Sequence, residues 1–293
     1  MIIVAILKHV AGKSADYGAA LDYLKYEHDE VLKRPLLDAN GNWVLRRDIL
    51  LEGINCEPEL FDVECEMLNA QYHKNQNYDE IKTHHYLISF DPADKDECGL
   101  TGEQAQAIGM EYVKANFPGH QALVCTHMDG HNGSGNIHVH IVINSLRKLN
   151  VPQQPFMERP IDCKAGYKHH LTKDYLKHLQ QSLMNICMRE SLNQVDLLSP
   201  SVNKITQQEY YAKQRGQINL DKLNAELIAE GFTPMKTKFQ TEKDKLRDSI
   251  TAAAKKAKSF EEFSRLLQTE SNILVKDHRG RFSYLLPDRE KYI

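Results

Sequence analysis

The sequence predicts an α+β fold: an antiparallel central sheet with flanking helices, plus a small C-terminal module of helices and a β-hairpin. Two observations carry that expectation. Along residues 1–200, short apolar stretches of period two interleave with stretches of helical period. Two of the extended stretches, Ala122–His127 and Ile137–Asn144, are joined by a glycine-rich turn, which makes them an antiparallel pair.

The elements follow in order. Residues 2–9, apolar from Ile2 to Leu7, read as a buried first strand. Ser14 or Asp16 caps a helix over 16–28, where Ala19, Ala20, Leu21, Leu24 and Lys25 are good helix formers. Residues 29–57 read as irregular, with Pro35 and Asp38-Ala-Asn-Gly41 as turn signals. Residues 58–74 read as helix, and His84–Phe90 as a second strand stopped by Asp91-Pro92. Thr101 caps a helix to Asn116, with Glu103 near the positive end of its dipole. Beyond the hairpin, Arg147–Tyr167 is a proline-punctuated loop and residues 172–192 form a basic helix. Residues 206–230 read as a helix pair, Gly231–Lys238 as a linker and Asp244–Gln268 as helix. Two short strands, Ile273–Lys276 and Phe282–Leu285, surround an Asp277-His-Arg-Gly280 turn. The expected domains are 1–200 and 201–293, the second a helical extension that contacts a polyanion.

Composition narrows the class. The chain has 293 residues, 41% hydrophobic and 26% charged, as expected of a soluble globular protein. Its six cysteines are scattered without C-x-x-C spacing, which points to reduced thiols in the cytoplasm rather than disulfides or zinc knuckles. The apolar N-terminus is short and lacks a basic leader, and no apolar run approaches the ~20 residues of a membrane span. A net charge of −3 conceals an asymmetry: residues 1–144 hold 11 Lys+Arg against 22 Asp+Glu, and residues 145–293 hold 26 against 18. The second part therefore suits a polyanionic partner.

The chemistry concentrates in Thr126–Asn144, where His127, His138 and His140 are spaced H-x10-H-x-H. In strand geometry Ile137, Val139, Ile141 and Ile143 share one face, and His138 and His140 share the other. Two imidazoles two residues apart on a strand can point at one metal ion, and His127 completes a three-nitrogen site with open positions. Asp129 either orients an imidazole from behind or only opens the Asp129-Gly130 turn, and His131 in the same loop is a rival third ligand. Tyr23, within Leu21-Asp-Tyr-Leu24, is a candidate nucleophile, with Tyr17 and Tyr26 as equal rivals on composition alone. After the hairpin, Arg147, Lys164, Lys168, His169, His170, Lys173 and Lys177 suit either a single-strand nucleic-acid groove or a solvated helix face.

These segments resemble the relaxases, the mobilisation nucleases of the HUH endonuclease superfamily found on plasmids and integrative elements. The resemblance rests on Leu21-Asp-Tyr23-Leu24 after the first strand, Gly53-Ile-Asn-Cys56, His127-x-Asp129 with His138-Val-His140-Ile-Val-Ile-Asn144, and the basic stretch from Tyr167-Lys-His-His170 to Cys187-Met-Arg-Glu190. It covers most of residues 1–200. The gap between the first histidine and the H-x-H is longer than in many members of this class. The resemblance implies a palm-like core, with Mg2+ or Mn2+ held by His127, His138 and His140. It implies Tyr23 as nucleophile, Asp129 tuning a histidine or taking the phenolic proton, and DNA on the basic residues named above. The implied partners are single-stranded DNA at an origin of transfer, an adjacent DNA hairpin, a relaxosome accessory protein and a coupling protein, all in a bacterial cytoplasm. A longer parent chain is also implied. The alternatives are a rolling-circle replication initiator, a water-using metal-dependent phosphodiesterase and a DNA-binding module with a vestigial metal site. Tyr23 preceding the histidines favours the relaxase order.

Overall fold

The computed structural model describes residues 6–14, 16–29, 34–128, 136–194, 196–199, 207–287 and 289–292. Asp129 and His131 lie outside the described residues. The chain divides into two compact units, Met1–Ser201 and Val202–Ile293.

The first unit is built on five antiparallel strands in the order β1 (Ile6–Gly12), β5 (Thr83–Ser89), β7 (His138–Arg147), β6 (His120–His127), β4 (Ile49–Ile54). β2 (His28–Asp29) and β3 (Arg34–Pro35) form a separate short pair. β7 is the spine: it pairs with β5 and β6, and all its residues are buried. Such a strand needs apolar cover on both faces. On one face Ile137, Val139, Ile141 and Ile143 pack with Tyr112 and Val113 of α4 (Gly102–Asn116) and Leu179 and Leu183 of α5 (Lys173–Arg189). On the other, Val142, Leu123 and Cys125 pack with Leu21 and Leu24 of α1 (Gly18–Lys25) and Phe61 and Cys65 of α2 (Phe61–Tyr72). α3 (Pro92–Asp96) is a short turn capped by Asp91.

Local chemistry sets the helix ends. Thr101 accepts from Gln104 N while Gln104 caps the Thr101 amide, a reciprocal box that starts α4. Thr172 starts α5 in the same manner by accepting from Tyr175 N. Asp16 Oδ1 accepts from Ala19 N at 3.0 Å at the start of α1, and Tyr26 turns extended and ends it. α1 is thus shorter than the expected 16–28.

Other expectations change more. β1 is an edge strand with Ile6 and Val10 exposed, where a buried strand was expected. β4 lies inside the segment expected to be irregular. Its run Ile-Leu-Leu-Glu-Gly-Ile is an outer strand paired to β6, and Gly53 is required because a Cβ there would meet the Cys56 carbonyl at 2.2 Å.

In the second unit α6 (Gln207–Ala229) is one helix rather than a pair. The stretch expected as a single helix is two, α7 (Glu242–Lys256) and α8 (Phe260–Ser271), because Ala257 leaves the helical region and Ser259 caps the next helix at Glu262. β8 (Leu274–His278) and β9 (Arg281–Leu285) form a hairpin over Leu246, Ala253, Leu267 and Ile273. Among the described residues no helix is long and apolar enough to cross a membrane.

Candidate metal centre and neighbouring tyrosine

The strand register assembles the histidines. His127 at the end of β6 stands directly opposite His138 at the start of β7, and His140 follows on the same face. All three are buried, and one ligand atom from each lies within 4.8 Å of the others. The ring centroids are 4.5 to 5.1 Å apart.

Each imidazole is oriented through its other nitrogen. His127 Nε2 lies 2.9 Å from the Leu24 carbonyl and donates to it, which leaves Nδ1 as the basic nitrogen. His138 Nδ1 faces the Asn136 carbonyl at 3.3 Å, which assigns basicity to Nε2. His140 Nδ1 lies 2.8 Å from His85 Nε2 on β5, and donating there makes Nε2 its ligand atom. Imidazoles fixed at the outer nitrogen and gathered at the inner one are the arrangement that divalent metal sites use. The donor set therefore fits a divalent cation with coordination positions left for oxygen ligands.

Tyr23, half-buried on α1, approaches this cluster. Its ring centroid is 5.6 Å from His140 and 6.0 Å from His85, both edge-on, and 5.2 Å from His28. Its two sequence rivals are engaged elsewhere. Tyr17 is buried, its hydroxyl accepts from Asn69 Nδ2 at 2.7 Å, and burial pushes its phenol up to about 12. Tyr26 follows the end of α1, with its ring against Trp43 at 5.3 Å and its carbonyl accepting from Arg46 Nε at 3.1 Å.

The buried three-histidine cluster coincides with a family match: residues 44–151 fit the model described as relaxase, MobA/VirD2-like, nuclease domain. The match includes His127, His138, His140 and His85, and Tyr23 precedes it. The chain is also similar to a protein rlx of Staphylococcus aureus, 25% identical over 252 residues, covering 86% of this chain and 64% of that protein. A second Staphylococcus aureus protein rlx is 26% identical over 176 residues, 60% of this chain and 44% of the relative. The chain thus spans less than two thirds of the length of these relatives. Among solved structures it is similar to the conjugative relaxase TrwC in complex with mutant oriT DNA, at TM-score 0.35 and 12% identity over 90% of this chain and 98% of that one. The metal-bound TrwC complex with oriT DNA gives TM-score 0.31 and 13% identity over 91% and 98%.

The residues of the basic stretch differ in exposure and pairing. Arg147 is 3% exposed at the end of β7, and its Nε donates to the Asp162 carbonyl at 2.9 Å. His169 is 8% exposed, wedged among Tyr86, Phe117, His84 and His120, with Nε2 2.8 Å from the Tyr86 hydroxyl. Neither side chain reaches solvent to hold DNA. Lys168 is paired with Glu80 at 2.7 Å, His170 Nδ1 is 3.3 Å from Asp162, and Lys177 is paired with Asp174 at 3.0 Å. Lys164 and Lys173 are exposed. Because α5 packs on the sheet face opposite the triad, Lys173 and Lys177 do not line the face that carries the histidines.

Three residues on the triad's side were not anticipated. His85 holds His140, and burial, with the nearby charges of Lys8 and His9, draws its imidazole down to about 4. Lys8 shares that face through its register with Leu87, which in turn stands opposite His140. Arg46 is buried and tied to the end of α1 through the Tyr26 carbonyl. The His84-His85 doublet is the one sequence signal that pointed here, and only the β5–β7 register shows which histidine faces the site.

Proposed function

We propose that this protein is a DNA relaxase that nicks one strand at an origin of transfer through Tyr23 and retains the cut end for rejoining. The observation that carries the reading is the placement of the Tyr23 ring beside His140 in a buried three-imidazole cluster. The relaxase nuclease match supports it. His127, His138 and His140 would hold a divalent metal, Mg2+ or Mn2+ for a phosphate substrate, which would orient the scissile phosphate and neutralise its charge.

The chain's own residues do the rest. The Tyr23 phenolic oxygen attacks the phosphorus in line, and the bond to the 3′ oxygen breaks. The products are a 5′-phosphotyrosine and a free 3′-hydroxyl, with the phenolic proton passing to a base and a proton reaching the leaving oxygen. Asp129, outside the described residues, is the carboxylate the sequence offers as that base. Retaining the phosphate as an ester on a side chain conserves the bond energy, so a 3′-hydroxyl can reverse the reaction. The edge-on packing of Tyr23 against His140 and His85 restricts its ring and lowers the entropic cost of alignment. The same reading brings in a relaxosome accessory protein and a coupling protein as partners.

A single-stranded origin oligonucleotide incubated with the protein and Mn2+ tests this. The expected product is a covalent protein–DNA adduct, with the linked peptide containing Tyr23 by mass spectrometry. Tyr23→Phe should abolish it. Cleavage without an adduct would instead mark a water-using phosphodiesterase, and an adduct that persists in Tyr23→Phe would place the nucleophile elsewhere.

A further inference from the structure

The triad side of the first unit's sheet is covered unevenly. α1 and α2 pack over Leu123, Cys125 and Val142, on β6 and β7. Towards β1 the same side stays open. Lys8 stands opposite Leu87, which stands opposite His140. Ile6 and Val10 flank Lys8 on that face, because alternate residues of a strand point the same way. Ile6, Lys8 and Val10 are exposed, and His85 and Leu87 beside them are half-buried. A solvent-facing shelf therefore runs from the triad to the sheet edge, with one charge at its centre.

That charge lacks a counter-charge. The register places no Asp or Glu on the triad side of any of the five strands. Among the described residues Lys8 makes no ion pair. Its field nevertheless reaches the site: after burial, Lys8 is the largest influence drawing His85 down to about 4, and His85 holds His140. A lysine on an edge strand often serves only to keep other strands away. That role needs no particular face, whereas Lys8 lies on the one that carries the histidines. Neighbouring strands lie about 4.8 Å apart, so two steps put the Lys8 backbone about 10 Å from that of His140. A compact ammonium on a flexible four-carbon stem reaches from there to an anion lying over Leu87, next to the triad.

We propose that Lys8 holds the backbone phosphate adjoining the scissile one, and so registers the substrate strand on the triad. The proposal rests on reading this site as a strand-nicking centre. It makes Lys8 a positioning residue: the scissile phosphate belongs to Tyr23 and the triad, and its neighbour to Lys8 across Leu87. Phosphate contacts of this kind fix register without reading sequence.

The full chain, Lys8→Gln and Lys8→Arg are compared with Mn2+ on single-stranded origin oligonucleotides. One oligonucleotide is unmodified, and each of the others carries one neutral methylphosphonate at a successive phosphate flanking the cleavage point. Adduct formation gives the rate, and fluorescence anisotropy gives the affinity. On the unmodified strand Lys8→Gln should form adduct about tenfold more slowly, and the slope of log K against log salt should flatten by about 0.7, the value for one phosphate contact. A methylphosphonate beside the scissile phosphate should cost the wild type about tenfold and Lys8→Gln less than about twofold, because the two changes remove one contact. Lys8→Arg should keep most of the wild-type rate and the same positional penalty. Melting temperatures should agree, since the Lys8 side chain is exposed and unpaired. Penalties equal in wild type and Lys8→Gln at every position, or an unmodified strand cut equally fast by both, would overturn the proposal. A wild type that binds the strand but forms no adduct rejects the nicking reading, and the affinities of the same series then decide Lys8 by the same comparison. A wild type that does not bind the strand overturns both.

Discussion

His127 Nε2 and the carbonyl oxygen of Leu24 lie 2.9 Å apart, so the first imidazole of the triad is tied to the last turn of the helix that carries Tyr23. That carbonyl sits at the C-terminal end of α1, where the helix has no further turn to satisfy its oxygens. One hydrogen bond therefore does two things. It selects the His127 tautomer and it fixes the helix end beside the site.

The two roles separate by mutation. His127→Gln should keep a donor near Leu24 and remove the imidazole, whereas His127→Ala removes both. Calorimetry with Mn2+ should show metal binding weakened at least tenfold in both variants. Urea denaturation should show His127→Ala less stable than His127→Gln by about 1–3 kcal/mol, the cost of a buried acceptor without its donor. Equal stabilities would mean that the Leu24 bond does not brace α1.

His85→Phe tests the orienting role of His85. Phenylalanine keeps a ring against Tyr23 and deletes the bond to His140 Nδ1. Removing the group behind a metal-bound histidine typically weakens metal affinity about 10–100-fold. The expected result is a drop in Mn2+ affinity of that size with little change in the far-ultraviolet spectrum. Unchanged affinity would show that His140 is held by its strand alone.

The sequence exposed the triad because strand alternation is a local property, and H-x-H beside a hairpin turn reports it directly. His85 was hidden because its role depends on which residue of β5 stands beside β7, a register that no local pattern encodes. The same gap explains why Arg147 and His169, expected on the surface, are buried. β7 runs three residues beyond the expected Asn144, which carries Arg147 into the interior, and His169 N bonds the Ser145 carbonyl, drawing its imidazole in behind it. Charge counts cannot distinguish an arginine that holds a loop carbonyl from one that faces solvent. β4 was missed because its six residues follow a run of turn formers, and its identity comes from pairing with β6 rather than from propensity.

Gly109 sets the distance between α4 and the sheet. A Cβ there would stand 2.6 Å from Val139 Cγ1 and 2.9 Å from Val124 Cγ1, both on buried strands with restricted rotamers. Gly109→Ala gains about 1 kcal/mol of helix propensity. It loses about 1–3 kcal/mol to overpacking, and the loss should win. Urea denaturation should show a net destabilisation of about 1 kcal/mol. A more stable variant would mean that α4 can lift from the sheet without cost.

Acid should unfold the first unit through histidines that the proposed chemistry does not use. Opposite the triad, His84 and His120 are buried, and burial draws both down to about 3; His169 is held well below 6.5 by burial and by His84 and His120 beside it. The other charged groups facing them reinforce this: Arg147 lies against His120 and His169, Lys168 acts on His84, and His9 Nε2 is 2.9 Å from His84 Nδ1. In the unfolded chain the same imidazoles titrate near 6.5, so below that pH the unfolded state binds more protons than the folded one. Stability is full above about pH 6.5 and falls as pH drops toward 3, by up to about 1.4 kcal/mol per pH unit for each histidine that stays neutral in the fold. Urea midpoints measured at pH 7.5, 6.5 and 5.5 should be nearly level over the first interval and decline clearly over the second. His84→Gln should flatten that decline whatever it does to stability at pH 7.5. A decline that is the same in this variant would assign the acid sensitivity to other groups.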